Sequence, residues 1–95
     1  MTTTVNNAAT HRFEAVVGGE TAFAEYKLRD GQIILTHTVV PDALEGHGVG
    51  SALAKTALAY AREQGLQVVP LCSFMAGYIE RHPEYQDLVA ARPGA

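Results

Sequence analysis

The chain has 95 residues, a formal net charge of −3 and 47% hydrophobic residues, which is enough for one small domain with a modest core. It holds no apolar run of membrane-spanning length and no Lys/Arg cluster that would draw in nucleic acid or an anionic membrane, so neither is expected as a partner. The single cysteine, Cys72, excludes an internal disulfide and fits a reducing, cytoplasmic setting.

Residues 1–10 are polar and lack the apolar stretch of a signal peptide, so they read as a disordered tail. From His11 to Val17 apolar and polar residues alternate through Phe13, Ala15 and Val17, the period of a half-buried strand. Gly18-Gly19 is a hairpin turn signal, and alternation resumes from Thr21 to Arg29. Asp30-Gly31 is the strongest hairpin signal in the chain. Gln32 to Val40 follows as a third strand, ended by Pro41-Asp42.

Gly48 to Gln64 reads as a helix. Val49, Leu53, Ala57 and Tyr60 form its apolar stripe, and Gly65 sits where a left-handed residue closes a helix. Leu66 to Leu71 is a short buried strand, parallel to Gln32–Val40 because a helix joins them. Met75 to Arg81 reads as a second helix, closed by His82-Pro83, and Glu84 to Val89 as one more helical turn. The order is β-β-β-α-β-α. It predicts a single α+β domain over residues 11–89, with a mixed sheet of about four strands, helices packed on it, and a frayed end at 90–95.

The stretch Leu44-Glu45-Gly46-His47-Gly48-Val49-Gly50-Ser51 joins the third strand to the first helix. A glycine turn at a helix start leaves backbone N–H groups unpaired, with the positive end of the helix dipole behind them. That arrangement suits an anion such as the phosphates of a nucleotide-like cofactor. A ligand-free strand-to-helix turn satisfies the same pattern. No Gly-Lys-Ser/Thr follows, which excludes a Walker loop, and Ser51 stands where the dinucleotide fingerprint needs its third glycine.

Gly48-x-Gly50 under a helix start resembles the pyrophosphate loop of the GNAT acetyltransferases, Arg/Gln-x-x-Gly-x-Gly/Ala, with Glu45 in the Arg/Gln position. Further motifs follow the same order. They are Thr36-His37-Thr38-Val39-Val40-Pro41 before the loop, then Val68-Val69-Pro70-Leu71-Cys72-Ser73-Phe74 and Tyr78-Ile79-Glu80-Arg81-His82-Pro83-Glu84-Tyr85 after it. From Leu35 to Val89 the chain resembles the small single-domain GNAT-like (yjdj-type) N-acetyltransferase family.

The resemblance implies a reduced GNAT core without the long N-terminal helices, acetyl-CoA as co-substrate, and an amine as acetyl acceptor. It implies cofactor binding by the backbone of Glu45, Gly46, His47, Gly48, Val49, Gly50 and Ser51, with the Glu45 carboxylate turned away from the pyrophosphate. It also implies a strand bulge at Val39 and Val40 that frees an N–H for the acetyl carbonyl. Cys72 would face the acetyl group, as a nucleophile whose pKa the following helix lowers. A small buried hydrophobe is the ordinary role of a free cysteine. His37 is the only titratable residue between Gln32 and Val40, and so the candidate general base. A hydrogen-bonded core histidine is the alternative. Alternation puts His37 on the face of Leu35 and Val39. Tyr78 is offset by one residue from the family's proton-donating tyrosine, and reads as core.

His11, His37, His47, Cys72 and His82 show no ligand spacing, so no metal is expected. An acetyl-CoA-binding module with little catalysis and a cofactor-free interaction domain are the rival readings. An edge strand of so small a sheet could pair with another copy, which leaves the oligomeric state open.

Overall fold

The computed structural model describes residues 2–90. Five strands form one sheet in the order β1 (Thr4–Asn7), β2 (Arg12–Val17), β3 (Glu20–Arg29), β4 (Gln32–Val39) and β5 (Gln67–Pro70). The first four run antiparallel to their neighbours, and β5 lies parallel to β4. Helix α1 (Val49–Gln64) makes the crossover between them, and α2 (Ser73–Arg81) follows β5. A 3-10 turn, Pro83–Leu88, replaces the expected last helical turn.

The hairpins close where the glycines stand. Gly18 and Gly19 have φ of 57° and 82°, and Asp30 and Gly31 have φ of 49° and 76°, the left-handed pair that matches the twist of flanking strands. The core lies between one sheet face and the helices. Phe13, Ala15, Ala22, Ala24, Tyr26, Ile33, Leu35 and Val68 are buried against Val49, Leu53, Ala54, Ala57, Leu58 and Ala61 of α1. Alanines on β2 and β3 let α1 approach the sheet, while Phe13, Tyr26 and Tyr60 fill the space beside them, with ring centres 4.8–6.4 Å apart. The other sheet face carries no buried side chain among the described residues: Phe23, Ile34 and Val69 are half-buried and Val39 is exposed.

Expectations are corrected at both ends of the chain and within β4. The sheet has five strands, not four, because Thr4–Asn7, read as part of a disordered tail, pairs with β2 from Thr4↔Ala15 to Asn7↔Arg12. The segment is polar and shows no strand pattern of its own. It is ordered by the open edge of β2, by the Tyr26 hydroxyl donating to Asn6 Oδ1 (2.7 Å), and by a Thr4–Thr56 hydroxyl pair. At the other end, Ala90 donates its N–H to the Val68 carbonyl (2.9 Å), so it is held rather than frayed, and 91–95 lie outside the described residues.

A further correction concerns β4. Its register against β3 shifts between Tyr26↔Leu35 and Glu25↔His37, which makes Thr36 the extra residue of a β-bulge. A bulge breaks the two-residue period. Leu35 is buried on the helix face, whereas His37 and Val39 lie on the open face and Thr38 takes the helix face opposite Ala24. The expected common face for Leu35 and His37 fails for this reason.

Candidate functional site

The strands part where the bulge begins. Pairing of β4 with β5 ends at Leu35↔Pro70, although β4 continues to Val39. Past that point the β5-side edge of β4 has no strand partner among the described residues. The Leu35 carbonyl closes the fork by accepting from the N–H groups of both Leu71 and Cys72, each at 3.1 Å. Cys72 then stands as the N-cap of α2 at the mouth of the fork.

The Cys72 thiol is half-buried and donates to Thr38 Oγ1 at 3.4 Å, across the parted strands. Burial pushes its pKa up. The Thr38 hydroxyl and the backbone N–H groups of Met75 and Phe74 oppose that and prevail, so the thiol titrates below its ordinary value. The expectation named the helix as the cause, whereas the Thr38 hydroxyl is the larger lowering influence and the helix N–H groups come after it.

The glycine turn supplies the other end of the site. A 3-10 turn, Asp42–Leu44, leads into Glu45, and Gly46 and Gly48 have φ of 81° and 75°. That conformation carries the chain from the strand end to the helix axis, and a side chain there would be strained. The first helical bond of α1 runs from the Ala52 N–H to the Gly48 carbonyl (3.0 Å). The N–H groups of Val49, Gly50 and Ser51 precede it and have no helical acceptor. Among the described residues no side chain caps this end, and its first turn holds no acidic residue, so the positive end of the dipole faces the cleft.

Between the two ends runs a cleft of about 480 Å³. Its walls are Thr38 and Val40 from the β4 end, Leu44 to Gly46 and Gly48 to Ser51 from the turn and α1, and Phe74 from α2. The structure thus gathers Val40, Glu45, Gly46, Gly48, Val49, Gly50 and Ser51, and Cys72 joins them through Thr38. Glu45, expected to turn away, is among the lining residues. His47 is exposed and lies in a separate depression with Val17 and Glu20. Val39 pairs with Phe23 on the open face, and the bulge expected at Val39 and Val40 sits at Thr36 instead. His37 is exposed on that same open face, opposite Glu25, away from the side chains that line the cleft.

Thr38, Leu44 and Phe74 are the lining residues that sequence reasoning missed. Alternation through an undetected bulge hid the face of Thr38, and only the approach of α2 to α1 gives Phe74 a role. Tyr78 is buried and stacked on His82 (ring centres 3.9 Å apart), as its core reading expected. Among the described residues no cluster could hold a metal ion, and no helix is long and apolar enough to cross a membrane.

The comparisons agree with this geometry. Residues 12–88 match the family described as GCN5-related N-acetyl-transferase. The chain is 37% identical over 59 residues to Protein NATD1 of Mus musculus and to that of Homo sapiens. That match covers 62% of this chain and 54% and 52% of those proteins, so the chain spans about half the length of the curated relatives it matches. The fold superposes with a TM-score of 0.70 on the solution structure of a GCN5-like protein from Staphylococcus aureus, at 31% identity over 88% of this chain and 85% of that one. A sheet parted beside an uncapped helix start, in a chain whose sequence matches from β2 to the end of the last 3-10 turn, makes this protein a member of the GCN5-related N-acetyltransferase family.

Proposed function

We propose that this protein binds acetyl-CoA in the cleft between the glycine turn and the β4–β5 fork, and transfers the acetyl group to an amine in the cytosol, where its free thiol stays reduced. The observation that carries this reading is the cleft itself. One end is a helix amino terminus suited to phosphates, and the other is lined by Thr38, whose hydroxyl meets the Cys72 thiol of lowered pKa just behind it. The backbone N–H groups of Val49, Gly50 and Ser51 hold the pyrophosphate. Glu45 rotates outward as they do so, because its carboxylate would otherwise face like charge.

Acetyl-CoA supplies an activated acyl thioester. The Cys72 thiolate attacks the acetyl carbon, a new C–S bond forms, and the CoA thiolate leaves. The amine then attacks that acetyl-cysteine carbon and the Cys72 thiolate leaves. The amine proton passes through solvent to the CoA thiolate, since His37 lies on the opposite sheet face from Thr38 and Cys72. Acceptor plus acetyl-CoA thereby yields acetylated acceptor plus CoA.

The test is titration calorimetry with acetyl-CoA and with CoA, then intact mass after incubation with acetyl-CoA. Binding with an added acetyl group that is absent from Cys72→Ala supports the covalent route. Binding with no added mass leaves direct transfer or an acyl-CoA-binding module. No binding to either compound overturns the reading.

A further inference from the structure

Gly50 lies inside α1, not at a left-handed position, so its backbone conformation does not call for glycine. A glycine in a helix costs about 1 kcal/mol relative to alanine. What the glycine provides is space. A Cβ at residue 50 would stand 2.8 Å from Cζ and 3.2 Å from Cε1 of Phe74. The Phe74 ring fills the notch that the missing side chain leaves.

The two residues belong to opposite ends of the site. Gly50 carries one of the unpaired N–H groups at the start of α1, and Phe74 lies in the first turn of α2, two residues after Cys72. Both line the cleft. We infer that Phe74, seated in the Gly50 notch, is a positioning residue that fixes the spacing between the phosphate-binding helix start and the Cys72 thiol.

The inference rests on the proposed CoA site and adds what aligns its two ends. The pantetheine arm of CoA is flexible but of limited reach, so how well its thiol end covers Cys72 depends on the separation of the two helix starts. A ligand that occupies only the phosphate end is indifferent to that separation. Misplacement by about 1 Å is enough to cost a reaction about 100-fold.

The experiment measures two quantities on the full chain: the affinity for CoA by calorimetry, and the rate of Cys72 alkylation by iodoacetamide with and without saturating CoA. In the wild type, CoA slows alkylation by about tenfold or more, whereas adenosine 3′,5′-bisphosphate, which lacks the pantetheine arm, slows it by less than about twofold. Phe74→Ala and Gly50→Ala still bind CoA, but its protection of Cys72, taken as the ratio of each variant's own alkylation rates without and with CoA, falls below about twofold. Shortening the ring in Gly50→Ala/Phe74→Leu removes the clash and restores protection, a rescue that a general loss of structure would not show. Unchanged protection in Phe74→Ala overturns the positioning role and leaves the CoA site standing. Failure of CoA to bind the wild type overturns both.

Discussion

The Cys72 thiol reaches Thr38 Oγ1 at 3.4 Å across the gap where β4 and β5 have separated. Thr38 faces that way only because the bulge at Thr36 reverses the alternation of β4. One inserted residue therefore decides which hydroxyl meets the thiol, and puts His37 on the other side of the sheet.

Removing the hydroxyl tests the pair. In the native protein the thiol titrates below its ordinary value: burial raises it, and Thr38 with the first-turn N–H groups of α2 outweighs that. Thr38→Val keeps the shape and loses the hydroxyl, so less thiolate is present at any pH near neutrality. The inflection of Cys72 alkylation rate against pH is expected to move upward. An unmoved inflection would mean that the helix start alone sets the thiol's acidity.

Gly48 is the N-cap of α1 with φ of 75°, so an added side chain meets backbone strain rather than a neighbouring atom. Gly48→Ala is expected to cost about 1–2 kcal/mol of stability. It should also weaken CoA binding, because relaxation of the turn moves the Val49–Ser51 N–H groups. Denaturant melts paired with calorimetry read both effects in one variant.

Tyr78 is buried, and its hydroxyl has no hydrogen-bond partner among the described residues. Burial raises its pKa first, Tyr85 and Glu84 add to that, and Arg81 opposes. A buried, unpaired hydroxyl destabilises the fold it sits in. Tyr78→Phe is expected to raise stability by about 1 kcal/mol and to leave acetyl transfer unchanged. A drop in transfer rate with unaltered folding would instead give Tyr78 the proton-donor role that its offset argues against.

The first strand offers a contrast. Asn6 accepts from the Tyr26 hydroxyl, while Val5 is 55% exposed. Asn6→Ala is expected to cost about 1 kcal/mol. Val5→Ala should stay within about 0.5 kcal/mol. Equal effects from the two in urea titrations would show that β1 is held by pairing alone.

Most of the fold was legible because it is locally encoded. Gly18-Gly19 and Asp30-Gly31 sit at left-handed turns, alternation from Phe13 to Tyr26 marks the buried face, and Val49, Leu53 and Ala57 mark the stripe of α1. Glycine spacing likewise located the helix start that lines the cleft. Three things were decided only in the tertiary structure. Thr4–Asn7 became a strand because β2 offered an edge to a segment with no pattern of its own. Thr36 became a bulge where β4 leaves β5, and nothing in the sequence period announces an extra residue. Phe74 entered the site because α2 folds back onto the notch at Gly50. Turns and helix stripes depend on residues a few positions apart, so the sequence by itself determined them. Edge pairing, bulges and helix-to-helix fit depend on partners far along the chain, and only the packed structure brings those partners together.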